Sequence, residues 1–244
     1  MKSAEVHSAI VFGGGGGIGA AVAAVLAGSH AVIVGCHHHH QRAQAVADKI
    51  SAGGRVAQMC ASDAATTEGV AAAIEAAQRL GTLRTVVHCV GAWHYRRVAE
   101  LTEDVIDADY RTNLRSALLT LSAAANHVAD HGRIVMVSSA AAHLAPARQA
   151  SYVAMKLGVE GAARATAKEL GRRNITVNVI RPGATDTETL HAGTDPQAVE
   201  AMSKANVFRR LGTPQDIANA VGWLTSPDAQ WITGAVIDAT GGLW

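Results

Sequence analysis

The chain has 244 residues, 49% of them hydrophobic, and a net charge of +1. That supplies enough apolar material for the core of one α/β domain and gives no electrostatic basis for binding nucleic acid or a membrane surface. No apolar run reaches the ~20 residues that cross a bilayer, residues 1–7 carry no secretory-signal pattern, and Cys36, Cys60 and Cys89 lack metal spacing, which together predict a protein of the reducing cytoplasm.

Residues 8–12 form a short apolar run that leads into Gly13-Gly14-Gly15-Gly16-Gly17-Ile18-Gly19, and an alanine-rich amphipathic stretch follows to about Gly28. Strand, glycine turn and helix is the order a dinucleotide site requires. The glycines let the backbone approach a pyrophosphate, and the helix N-terminus presents N–H groups to its charge. The spacing Gly13-xxx-Gly17-x-Gly19 places its last glycine just inside the helix. A flexible linker is the alternative, but periodic apolar segments flank the run on both sides.

Further β-branched runs at 31–35, 55–60, 85–89, 133–137, 175–180 and 235–238 alternate with helical stretches, two of which cover about 110–130 and 151–171. Such alternation predicts a single α/β domain with a doubly wound parallel sheet and helices on both faces. Its ligand belongs outside the C-terminal strand ends. A cofactor half of about 1–130 is followed by a catalytic and substrate half of about 131–244. Residues 185–208 are poor in regular signals and are read as a cover over the substrate.

The second strand ends at Gly35 and Cys36, without the carboxylate that would bind a ribose 2′-OH and repel a 2′-phosphate. His37 to His40 and Arg42 follow, and a phosphate contact and a solvated polar turn are both open for them. Four consecutive histidines cannot share one helical face, so no metal site is predicted. NADP is the favoured cofactor, with NAD as the alternative.

Tyr152 and Lys156 stand at i and i+4, on one face of a helix. A free tyrosine has a pKa of about 10, and a neighbouring ammonium is expected to lower it toward a range useful for acid/base work. Ser139 lies at the end of an apolar run upstream, where its hydroxyl is placed to polarise the same substrate oxygen.

These motifs together resemble the short-chain dehydrogenase/reductase family, from about residue 8 to 242, and imply a Rossmann-type fold. The resemblance assigns Gly13, Gly15, Gly16, Gly17, Ile18 and Gly19 to the cofactor loop and Asp63 to an adenine contact. Cys36, His37, His38, His88 and Gly91 would border the same nucleotide. Pro182, Gly183, Thr185 and Thr187, in Pro182-Gly183-Ala184-Thr185-Asp186-Thr187, look like the segment that holds the nicotinamide. Asn113, Ser139, Tyr152 and Lys156 would form the catalytic set, Tyr152 and Lys156 also touching cofactor. His94, Tyr95, His143, Leu144, Gln149, Ala184 and His191 are the candidate pocket walls. Three positions depart from the family pattern: Phe12 replaces a threonine, His88-Cys89-Val90-Gly91 replaces Asn-Asn-Ala-Gly, and Gly16 replaces a common arginine or lysine.

The implied activity is NAD(P)-dependent hydride transfer between nicotinamide and a ketone or secondary alcohol, closest in look to a 3-oxoacyl-thioester reductase. Alternatives are an alcohol, sugar or steroid-like dehydrogenase and a non-catalytic dinucleotide-binding module. Arg172 and Arg173 remain where carrier-protein docking uses basic residues, but Val128-Ala129-Asp130 stands where arginines are usual. The partners implied are a small-molecule substrate and further copies of the chain in a homotetramer.

Overall fold

The computed structural model describes residues 5–244; residues 1–4, part of the stretch read as lacking a secretory signal, lie outside the described residues. In chain order come β1 (His7–Phe12), α1 (Gly17–Leu26), β2 (Ala31–Cys36), α2 (His40–Ala52), β3 (Ala57–Ala61), α3 (Thr67–Leu80) and β4 (Thr82–His88). Next come α4 (Glu103–Asp109), α5 (Ser116–His127), β5 (Arg133–Val137), α6 (Ala141–Leu144) and α7 (Ala150–Leu170). The chain closes with β6 (Thr176–Pro182), α8 (Glu188–Gly193), α9 (Pro196–Lys204), α10 (Pro214–Thr225) and β7 (Val236–Ala239).

The strands form one parallel sheet in the order β3-β2-β1-β4-β5-β6-β7. Chain direction across the sheet reverses between β1 and β4, which opens a crevice at their carboxyl ends. Alternation along the strands divides the core in two. Ile10, Phe12 and Ile33 pack with α3, α5 and α7, whereas Ala9, Val11, Val32 and Val34 pack with α1, α2 and α10. The helices present mostly alanine inward, such as Ala73, Ala117 and Ala163, so they lie close on the sheet. Among the described residues no helix is long and apolar enough to cross a membrane.

Two segments differ from the sequence reading. The helix expected over 110–130 starts earlier, at the Thr102 cap, and passes through a π-helical turn, Tyr110–Arg115, before α5. Asn113 Nδ2 donates to the Asp109 carbonyl at 3.1 Å and Ser116 Oγ to the Thr112 carbonyl at 2.5 Å. Side chains thus take i−4 acceptors of the helical ladder, and the turn widens. The stretch 185–208 is not irregular but holds α8 and α9. Thr187 caps α8 by accepting from the Leu190 N–H, and Asp195 caps α9 with Pro196 in its first turn.

An ionic network centred on buried Glu160 ties β5, α7, β6 and β7 together. Ser138 Oγ donates to Glu160 Oε1 at 2.7 Å, Arg181 donates to both Glu160 oxygens at 3.0 and 2.8 Å, and Arg181 Nη1 reaches Asp238 at 2.8 Å. Glu160 is 2% exposed. Its charge is affordable in the core because every neighbour in the network donates to it. Replacing Glu160 with alanine leaves Arg181 short of its main partner, and we predict a loss of about 3 kcal/mol in urea unfolding. A loss below about 1 kcal/mol would show that the network contributes little to holding β5, α7, β6 and β7 together.

Candidate active site

The glycine loop leaves β1 at Gly13, whose φ of +78° suits glycine. The N–H groups of Gly13 and Gly14 both donate to the Gly35 carbonyl at 3.0 Å, which fastens the turn to β2. A Cβ at position 19 would lie 2.2 Å from the Gly13 carbonyl oxygen, and one at position 17 would lie 2.6 Å from Thr187 Cγ2. These close approaches explain the spacing of Gly13, Gly17 and Gly19. Gly15 sits against Ala43, while Gly16 has open space and meets only the Gly13 oxygen, at 3.5 Å. Ile18 follows in the first turn of α1, where unpaired N–H groups face outward from the helix start. Phe12, in place of the usual threonine, is fully buried core.

Tyr152 and Lys156 are both buried on α7, beneath the ends of β4 and β5. Lys156 Nζ donates to the Val137 carbonyl at 3.0 Å and to the Val90 carbonyl at 3.4 Å. Burial holds its pKa down to about 8. A Cβ at Gly91 would lie 2.8 Å from this nitrogen and 3.1 Å from Asn113 Oδ1, so only glycine lets the three groups meet. Asn113 clamps the strand-end segment through both faces of Ala92, accepting from its N–H at 3.1 Å and donating to its carbonyl at 2.9 Å. Ser139, just past β5, lines the same cavity as Tyr152 and acts to lower its pKa.

One expectation changes sign. Lys156 does not depress the Tyr152 pKa. Burial pushes the phenol up to about 12, and Ser139 offsets that only in part. The ammonium is directed at backbone carbonyls and lies 5.8 Å from the centre of the phenol ring.

At the far end of the crevice Cys36 closes β2 as a buried thiol, its pKa raised by burial. His37 and His38 lie with ring centres 3.7 Å apart and their planes tilted by 38°. Asp63 is partly desolvated, yet bonds from the Ala65 N–H and Arg111, together with the nearby His37, keep its pKa below the usual carboxylate range. Arg111 reaches it at 2.5 Å and His37 at 3.6 Å. His88 departs from the expected nucleotide contact. It is 1% exposed, and its two ring nitrogens face Thr120 at 3.0 Å and Ser116 at 3.2 Å. Desolvation drops its pKa to about 3, so it is a neutral core imidazole.

A cavity of about 370 Å³ runs from Ile18 and Gly91 past Ser139, Tyr152 and Lys156 to Leu243. Pro182, Gly183, Thr185 and Thr187 line it, as do Tyr95, Leu144, Gln149 and Ala184 from the expected substrate wall. His94, His143 and His191 are not among the lining residues. His94 turns to Asp109 at 3.5 Å, His143 stacks on Trp244 at 4.4 Å, and His191 pairs with Asp186 at 2.7 Å. Walls missed from sequence are Trp93, Pro146, Leu190, Met202, Asn206 and Leu243. Leu190 and Met202 had a signal, the capped amphipathic turns of α8 and α9, whereas Trp93 had only its closeness to Gly91.

Comparison with known proteins accords with this geometry. A family model described as Enoyl-(Acyl carrier protein) reductase matches residues 14–244. The chain belongs to the short-chain dehydrogenase/reductase family and is an oxidoreductase of that family. It is 32% identical over 204 residues to 3-oxoacyl-[acyl-carrier-protein] reductase FabG of Escherichia coli, covering 83% of this chain and 82% of the relative. It is 36% identical over 210 residues to short-chain dehydrogenase/reductase FrzI of a Cladobotryum species, covering 83% and 81%. Among solved structures, a short-chain dehydrogenase from Burkholderia cenocepacia in complex with NADP superimposes with a TM-score of 0.91 at 33% identity, covering 97% of each chain. The angucycline C-6 ketoreductase LanV with bound NADP gives 0.91 at 30% identity, covering 97% of this chain and 95% of that one.

The loop geometry yields a paired test. Gly19→Ala should abolish nucleotide binding by titration calorimetry, because its methyl overlaps the Gly13 carbonyl, whereas Gly16→Ala should bind within about twofold of wild type. Normal binding by Gly19→Ala would show that the turn is not held closed in the complex.

Proposed function

We propose that the protein is an NADPH-dependent ketoreductase, acting on ketones of the 3-oxoacyl kind or their cyclic counterparts. The observation that carries this reading is the meeting of Ser139, Tyr152 and Lys156 in one cavity that opens beside the glycine loop. The residues fit a dinucleotide, since the cavity reaches the glycine loop at Ile18, has Gly91 in its wall, and the loop leaves open space at Gly16. Bound NADPH would supply a hydride from its nicotinamide to the carbonyl carbon. Tyr152, a protonated phenol at neutral pH, gives its proton to the carbonyl oxygen as the carbonyl is reduced to an alcohol. Ser139 donates to the same oxygen and stabilises the growing charge. Lys156 holds the nicotinamide ribose, and Asn113, by family likeness, keeps open a proton path from Lys156 to solvent. Residues 185–208 close over the substrate.

Cofactor choice follows from the end of β2. Cys36 brings no negative charge to the adenosine ribose, and exposed His37 and His38 offer donors to a 2′-phosphate. The relatives with bound NADP support the same preference. The route by which substrate arrives is less like that of a carrier-dependent enzyme. Arg173 is occupied by Asp130 at 2.8 Å and by the carbonyls of Ala125 and Val128, leaving Arg172 as the basic group at that corner. A cytoplasmic homotetramer is part of the proposal, supported by Leu118 and Leu157 exposed on the outer faces of α5 and α7.

Three experiments test the reading. Tyr152→Phe should keep NADPH affinity and lose about three orders of magnitude in turnover, since only the transferable proton is removed. The reverse oxidation in wild type needs the phenolate, so its rate should climb with pH through the alkaline range while reduction does not. Near-normal turnover by folded Tyr152→Phe protein would refute the mechanism. Cys36→Asp should swing preference toward NADH by about tenfold or more. Position 35 is unsuited to the same swap, because a Cβ there lies 2.9 Å from Ser62 Oγ. An unchanged NADPH-to-NADH ratio in Cys36→Asp would remove the basis for the cofactor assignment.

A further inference from the structure

Beyond the reacting carbonyl, the cavity has a chemistry of its own. Its outer wall is Trp93, Tyr95, Leu144, Pro146, Met202 and Leu243. The Trp93 ring stands 6.4 Å from the Tyr152 ring, tilted by 53°, and Gly193 of α8 approaches it from the other side. Aromatic walls of this kind hold a flat apolar body by offset and edge contacts. Among the described residues Lys156 is the single cation that lines the cavity, and it is bonded to backbone carbonyls deep inside. A carboxylate or phosphate on the substrate would find no counter-charge there.

The polar side chains of the wall are nearly all committed. Asn206 donates to the Arg210 carbonyl and accepts from the Phe208 N–H, Thr185 donates to the Gly183 carbonyl, and Thr187 caps α8. Gln149 differs. It is 8% exposed, lines the cavity three residues before Tyr152, and its carboxamide makes no hydrogen bond among the described residues. It stands at the start of α7 without capping that helix. An amide that lines a cavity and has no protein partner is placed to hydrogen-bond a ligand there.

We infer that the substrate is a free, uncharged, flat aromatic ketone that carries a second oxygen, with its ring body against Trp93 and that second oxygen hydrogen-bonded to Gln149. The inference rests on the ketoreductase reading above and narrows it. Reduction still consumes one hydride from NADPH and one proton through Tyr152, and the second oxygen is unchanged by the reaction. It serves to orient the ring so that the reacting carbonyl meets Ser139 and Tyr152.

The test compares four compounds with NADPH: 4-hydroxy-1-tetralone, 1-tetralone, a 3-oxobutyryl N-acetylcysteamine thioester, and the same acyl group on an acyl carrier protein. The hydroxytetralone should exceed 1-tetralone by about tenfold in kcat/KM, because a site built to bond an oxygen discriminates against a ligand lacking it, and both thioesters by about a hundredfold, because neither brings a ring body to the Trp93 face. Gln149→Leu should erase the advantage of hydroxytetralone over 1-tetralone. Trp93→Ala should raise the KM for both tetralones about tenfold, with most of it restored in Trp93→Phe, which returns the aromatic face. A thioester as the best substrate, or a tetralone ratio untouched by Gln149→Leu, overturns the inference while leaving the ketoreductase reading intact. Failure to reduce any of the four overturns both.

Discussion

Burying the Lys156 ammonium is the constraint around which the rest of the cleft is arranged. A charged amine in a protein interior needs acceptors and close neighbours of the right size. Here the acceptors are the carbonyls of Val137, at the end of β5, and Val90, just past β4. Both are presented to the ammonium because the parallel neighbours β4 and β5 end side by side. Gly91 brings the backbone to the nitrogen, and the π turn of Tyr110–Arg115 brings Asn113 to the same place. Removing any of these would leave the charge less well met, and Lys156 already titrates near 8.

The second requirement is relative position. Ser139 sits on the β5 end and Tyr152 on α7, so their meeting depends on how that helix lies across the sheet. The Ser138–Glu160–Arg181–Asp238 network joins those two elements to β6 and β7 with four side chains. Two turns of α7 separate Glu160 from Tyr152, a distance over which a helix is stiff. The polar network thus sets register, while the alanine-rich layer on both faces lets the helices approach closely enough for it to form.

Much of this was legible in sequence, for physical reasons that also explain what was not. Continuous apolar, β-branched runs on a doubly covered sheet announce themselves, and β5 begins and ends where the sequence reading put it. The glycine spacing was readable because each glycine answers a specific steric contact. The π turn was hidden, since it arises from Asn113 and Ser116 capturing ladder carbonyls, which a helical pattern does not display. His94, His143 and His191 looked like pocket walls, yet each found a carboxylate or a ring elsewhere, and Trp93 and Met202 took the wall instead. Side-chain direction in loops is decided by tertiary neighbours. The sign of the Tyr152 shift was missed for a related reason: helical spacing brings an ammonium near a phenol but says nothing of how deeply both are buried.

The account's central claim is that burial, opposed only in part by Ser139, keeps Tyr152 a proton donor. Ultraviolet difference titration of wild type against Tyr152→Phe, without cofactor, measures that group directly. A tyrosinate signal absent up to about pH 10, in keeping with a pKa pushed up to about 12, is the predicted result. A one-proton tyrosinate transition near neutrality, present in wild type and missing from Tyr152→Phe, would contradict it.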